Sequence, residues 1–162
     1  MKTVWKFTNQ RELDKNQFIN YFERKVFRTI RKHQILPDNK IFTLKKTTSL
    51  NTAILKKILE TKFQVKYSTS PNTSSNNLSE AAEVIFKKIL KSDFNSLLDN
   101  HYSTSPLLYL SDKEIELYAK LKNIKGTKRK PNKKIQTLFK KFLTKNQDLE
   151  LNILKAAGQL NI

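Results

Sequence analysis

The chain has 162 residues, 38% of them apolar, and 32 Lys+Arg against 14 Asp+Glu give a formal net charge of +18. That is enough chain for one modest core. With no cysteine and two glycines, it cannot carry disulfides, cysteine zinc sites, iron–sulfur ligation, thiol nucleophiles or glycine-rich phosphate loops.

Asp14–His33 is predicted to be helical, because Phe18, Phe22, Val26 and Ile30 recur at every fourth position and Ile19 widens the stripe. Arg24, Arg28, Arg31 and Lys32 lie mostly off that stripe. After a turn at Pro37-Asp38-Asn39, Ile41–Leu44 reads as a short strand. Thr52–Lys62 is predicted to be a second helix with Ile54, Leu55, Ile58 and Leu59 inward, and Phe63–Tyr67 alternates as a strand. Ser68–Asn77, rich in Ser, Thr and Asn, is the segment expected to be most flexible. Leu78–Lys91 forms a third helix, capped by Asn77 or Ser79, with Leu78, Ala82, Ile85 and Ile89 on one face and Ala81 and Leu90 beside it.

A short helical turn is expected over Phe94–Leu98, and a linker over Tyr102–Pro106. Asp112–Leu121 is predicted to be a helix with Ser111 and Glu114 as a capping box. Gly126 ends the next segment, Lys128–Pro131 is a charged loop, and Lys133–Thr144 and Asp148–Leu160 are two further helices. The order implies an α/β layer over residues 1–100, including the N-terminal helix, and a basic helical region over 101–162.

The charge is clustered. Between Leu117 and Gln147 there are eleven basic residues and no acid, and a second cluster spans Arg24–Lys32. Such a chain repels itself and attracts polyanions, although the lysine-rich composition of an AT-rich genome supplies part of the charge. The basic residues expected to touch RNA are Arg24, Arg28, Arg31, Lys32, Lys128, Arg129, Lys130, Lys133 and Lys134; the alternative for each is a solvated helix face. Ile135, Leu138, Phe139 and Phe142 look like core rather than stacking platforms. Lys46–Asn51 reads as a polar strand-to-helix turn capped by Thr48 or Ser49 rather than a relic phosphate loop. His33 and His101 read as surface or helix-end histidines, and Glu114 as a capping or ion-pair residue. No metal or cofactor is expected. No apolar run exceeds five residues and the first residues carry no signal-like core, so no membrane partner and a cytoplasmic location are expected.

Three segments resemble the TtuA-type tRNA 2-thiolation family, a branch of the N-type ATP pyrophosphatases of the PP-loop superfamily. They are Tyr21–Lys32, Ser75–Asp93 and Ser105–Lys122, the last reading SPLLYLSDKEIELYAKLK. The resemblance implies a reduced PP-loop-like α/β layer with a short parallel sheet, followed by a C-terminal helical extension. It also exposes departures. Where the family carries an SGGKDS loop after its first strand, this chain reads Lys46-Thr47-Thr48-Ser49-Leu50-Asn51. The family's Gly-His and acidic pair are replaced by Ser75-Asn76 and Ser79-Glu80, its catalytic and zinc-binding cysteines have no counterpart, and strands and helices are missing between Leu59 and Thr73.

The resemblance thus implies a pseudoenzyme: a non-catalytic RNA-binding protein derived from tRNA thiolation enzymes, with tRNA as its expected partner. The alternative is a structural interaction module, working as a homodimer or as a non-catalytic subunit beside an active paralogue or in a ribonucleoprotein.

Overall fold

In the computed structural model, which describes residues 2–98 and 104–159, the chain opens with an antiparallel hairpin, β1 (Trp5–Lys6) and β2 (Glu12–Leu13). The sequence reading missed this hairpin. Its local signal is Asn9, whose Oδ1 accepts the Arg11 N–H at 3.1 Å, followed by Gln10 at φ 67°.

Helix α1 (Lys15–Lys32) starts at a capping box: Asp14 Oδ1 accepts the Gln17 N–H at 2.9 Å, and Gln17 Oε1 accepts the Asp14 N–H at 3.0 Å. Its predicted stripe is buried, with Thr29 added. Strand β3 (Ile41–Leu44) buries Phe42 and Leu44, and pairs in parallel with β4 (Gln64–Tyr67) across α2 (Leu50–Leu59). The predicted inward residues of α2 are all buried, though the helix starts two residues before the predicted Thr52 and ends at Leu59.

Helix α3 (Leu78–Leu90) is capped by Asn77, which accepts the Glu80 N–H. A 3₁₀ turn follows at Asn95–Leu98, then α4 (Asp112–Lys122), α5 (Lys133–Leu143) and α6 (Leu149–Gln159). The capping box of α4 is the predicted one, Ser111 with Glu114. No described helix is long and apolar enough to cross a membrane.

The main core joins α1, β3, α2 and α4, so it draws on residues from both sides of position 100. At its centre Phe22 and Tyr118 stack with ring centroids 4.1 Å apart, and the Tyr118 hydroxyl donates to Glu23 at 2.7 Å. Two smaller clusters bring α3 together with α5 and α6, including Phe86 on Phe139 at 5.1 Å.

Several sequence expectations are corrected. Ile89 and Leu90 emerge from the core at the end of α3, and Leu138 and Phe142 face out from α5, leaving only Ile135 and Phe139 of that helix buried. A short helix packed along one line buries one residue per turn, so the apolar positions beside that line stay wet. The segment over Ser68–Asn77 is not loose around its centre: Asn72 Oδ1 accepts the Thr43 N–H at 2.9 Å, and its Nδ2 donates to the Ile41 carbonyl at 3.1 Å. Those bonds seal one edge of β3. Of the expected linker, Ser105 and Pro106 are buried, and Ser105 Oγ donates to the Asn76 carbonyl. His101, Tyr102 and Ser103 lie outside the described residues.

Candidate functional site

A cavity of about 610 Å³ opens at the carboxyl ends of β3 and β4, between the turn into α2 and the segment into α3. This is where open α/β sheets generally receive ligands. Its wall is made of hydroxyl and amide side chains that bond to one another. Thr47 Oγ1 donates to Thr52 Oγ1 at 3.0 Å, Thr52 Oγ1 meets Ser75 Oγ at 3.1 Å, and Asn51 Nδ2 donates to the Ser75 carbonyl at 3.1 Å. Ser49 holds the cap position of α2, yet its side chain makes no capping bond. Lys45 and Lys46 are exposed beside this turn.

The opposite rim is Thr127–Arg129. It is held against the turn by two backbone bonds, Leu50 N–H to Thr127 O at 2.9 Å and Thr127 N–H to Thr48 O at 2.8 Å. Gly126 permits this approach, since a Cβ there would stand 2.7 Å from Leu50 Cα.

Arg129 is placed differently from its sequence reading. Its guanidinium donates to Glu83 Oε2 at 2.8 Å and to Asp112 Oδ2 at 2.5 Å, with the side chain 14% exposed. The donors expected for phosphate are therefore engaged by carboxylates. Burial pushes the Glu80 carboxyl on the cavity wall above its ordinary range, an effect opposed by Arg129 and reinforced by Asp112 and Glu83. Glu150 is pushed up chiefly by burial, while the Ser79 hydroxyl donating to it at 2.8 Å pulls the other way.

The four α1 cations expected to touch RNA divide into two groups. Arg24, Arg28 and Arg31 line one side of a second groove, of about 660 Å³, whose other side carries Lys62. Lys62 was not among the sequence candidates; it lies between α2 and β4, and no spacing links it to α1. Lys32 faces elsewhere, with its ammonium 5.3 Å from the Tyr109 ring centroid. His33 is the C-terminal cap residue of α1, as expected for a helix-end histidine, and its Nε2 lies 2.9 Å from the Tyr109 hydroxyl. Burial, then the neighbouring Lys32, lowers its pKa. Glu114 is both a capping residue and an ion-pair partner, accepting from Tyr21 at 2.6 Å with Lys25 at 3.5 Å. Lys130, Lys133 and Lys134 are exposed, and Lys128 meets Glu116 at 3.1 Å in solvent.

Taken together, these elements define a helix-rich α/β protein with a short parallel sheet and six described α-helices, similar in fold to a tRNA thiolase. One similar solved structure is the U34-tRNA thiolase NcsA from Methanococcus maripaludis with its 4Fe–4S cluster. It matches with a TM-score of 0.75 over 98% of this chain and 84% of that one, at 11% identity. No family model and no curated protein matches the chain. A cluster of that kind is held by cysteine thiolates; this chain has no cysteine, so its residues do not fit such a group.

Proposed function

We propose that this protein binds RNA, with tRNA the expected class, as a non-catalytic relative of the tRNA thiolation enzymes. The observation that carries this reading is the turn from β3 into α2 in a thiolase-like fold. Lys45–Leu50 contains no glycine, and hydroxyls closed on one another line the cavity where a backbone N–H cradle would be needed for a pyrophosphate. The net charge of +18 and the acid-free stretch from Leu117 to Gln147 support an affinity for a polyanion. The similar fold belongs to an enzyme named for its action on tRNA.

Filter binding with tRNA tests the first half. A Kd below about 10 µM at low salt, weakening steeply as salt rises, is expected. Binding that is weaker, or indifferent to salt, rejects the reading. For the second half, AMP release from ATP in the presence of tRNA should stay at background.

A second reading, an interaction module within a larger assembly, draws on Leu90, Phe94 and Phe142, all more than half exposed. Light scattering behind size exclusion, with and without nuclease, separates the two. A protein complex that survives nuclease favours the module.

A further inference from the structure

The groove between α1 and Lys62–Phe63 combines two features that seldom coincide on a solvated face. One is arginine. The chain has 27 lysines and only five arginines, and three of the five (Arg24, Arg28 and Arg31) line this groove. They stand four and three residues apart, forming a row about 10 Å long on one helix face. Among the described residues, none of the three has a carboxylate partner. The contrast with Arg129, held by two carboxylates, is direct.

The second feature is the floor. Phe27, Ile30, Leu36 and Phe63 make it apolar, with Leu36 exposed and both phenylalanine rings half-buried. The Lys62 ammonium lies over the Phe27 ring, 4.2 Å from its centroid; that face already receives a cation, and the exposed Lys62 side chain would swing aside for a flat group arriving from solvent. The groove's volume falls within the range of about 300–1,000 Å³ found for small-ligand sites.

We infer that this groove takes unpaired nucleotides of an RNA strand, with bases against the Phe27, Leu36 and Phe63 surface and phosphates along Arg24, Arg28 and Arg31. The inference rests on the RNA-binding reading above and narrows it. A duplex exposes its backbone and base edges but keeps its base faces stacked inside, so it can meet the cations but not lay a base on the floor. An unpaired strand can meet both, and planar guanidinium groups can pair a phosphate bidentately or stack on a base, which an ammonium cannot do. An acidic amphipathic peptide would satisfy the same charges. Three arginines beside two half-buried aromatic rings, rather than a continuous aliphatic trough, favour the nucleotide.

The test is fluorescence anisotropy on the full chain with a labelled oligouridylate of about ten nucleotides and an RNA duplex of equal length, with tRNA binding measured in parallel. The single strand should bind at least about tenfold tighter than the duplex, and Arg28→Glu with Arg31→Glu should abolish that preference. Arg28→Lys, which keeps the charge, should still lose several-fold on the single strand. Both positions are exposed, so circular dichroism should show the variants folded. If tRNA binds but the duplex equals the single strand, or the groove variants change oligonucleotide affinity by less than about twofold, the inference fails and the broader reading survives. If tRNA does not bind at all, both fail. A Glu/Leu-rich helical peptide that binds the groove tighter than the oligonucleotide overturns the inference in favour of a protein partner.

Discussion

Nη1 of Arg129 lies 2.8 Å from Oε2 of Glu83, joining the loop ahead of α5 to the middle of α3. The same guanidinium reaches Asp112 at the start of α4, and the other Glu83 oxygen accepts the Asn132 N–H at 2.6 Å. One side chain thus ties the loop ahead of α5 to the middle of α3 and the start of α4, and sets one rim of the polar cavity. It is held in place by two carboxylates rather than presented to solvent.

Arg129→Ala strands Glu83 and Asp112 without their cation. Removing one partner of a largely buried ion pair destabilises by about 3–5 kcal/mol, and urea unfolding should show a loss of that order. Arg129→Lys should restore only part of it, because one ammonium cannot bridge both carboxylates with a planar fork. A loss under about 1 kcal/mol for the alanine variant would mean that solvent screens the cluster.

Gly126→Ala should destabilise the protein by about 1–3 kcal/mol through forced separation of two backbones. The new Cβ would meet Leu50 Cα at 2.7 Å and Leu50 N at 2.9 Å, backbone atoms that cannot swing aside. The Leu50–Thr127 and Thr127–Thr48 bonds would open with it. A thermal midpoint equal to that of the parent chain would contradict this account.

The raised carboxyls of Glu80 and Glu150 give a pH dependence of defined sign. Between the ordinary carboxylate range and their raised folded values, the native state binds more protons than the unfolded chain. The contribution of these two groups to stability therefore grows as pH falls through that window and is withdrawn as pH rises through the folded values. Glu150→Gln keeps an acceptor for the Ser79 hydroxyl and removes the charge. It should raise the urea midpoint at neutral pH and leave the midpoint less dependent on pH than in the parent. A lower midpoint at neutral pH would show that the carboxylate form is favoured.

Lys133 and Lys134 occupy the first turn of α5, which carries no acid. Cations at a helix N-terminus oppose the macrodipole, so these two do not stabilise their own helix. Replacing both with Ala should leave stability unchanged or slightly improved while weakening tRNA binding. The slope of log affinity against log salt should shrink by about 0.7–0.9 for each lysine that neutralises a phosphate. An unchanged slope would place the RNA on another face.

How far the sequence could be read follows the range of the interactions involved. The caps at Asn77 and Ser111 were legible because each bond spans three residues; the same kind of bond at Asp14 was read only as the start of its helix. The buried stripes of α1 and α2 were legible for the same reason, since helical periodicity is a local property. The glycine-free turn after β3 and the missing cysteines are statements about residue identity and need no coordinates at all.

What the sequence could not apportion is which cations are free. Arg28 and Arg129 look alike in a charge count, yet Arg129 is neutralised by Glu83, 46 positions away, and Asp112, 17 away. Lys62 joins the row of α1 arginines only because the chain folds back on that helix after α2. Whether Leu138 and Phe142 meet core or water depended likewise on which side of α5 packs against α3. By itself the sequence determined the helices, the caps of α3 and α4 and the absence of glycine from the turn after β3, all set by residue identity or by neighbours within one helical turn. Tertiary structure alone decided which charges are compensated and where apolar surface stays open, because only long-range packing chooses a side chain's distant neighbours.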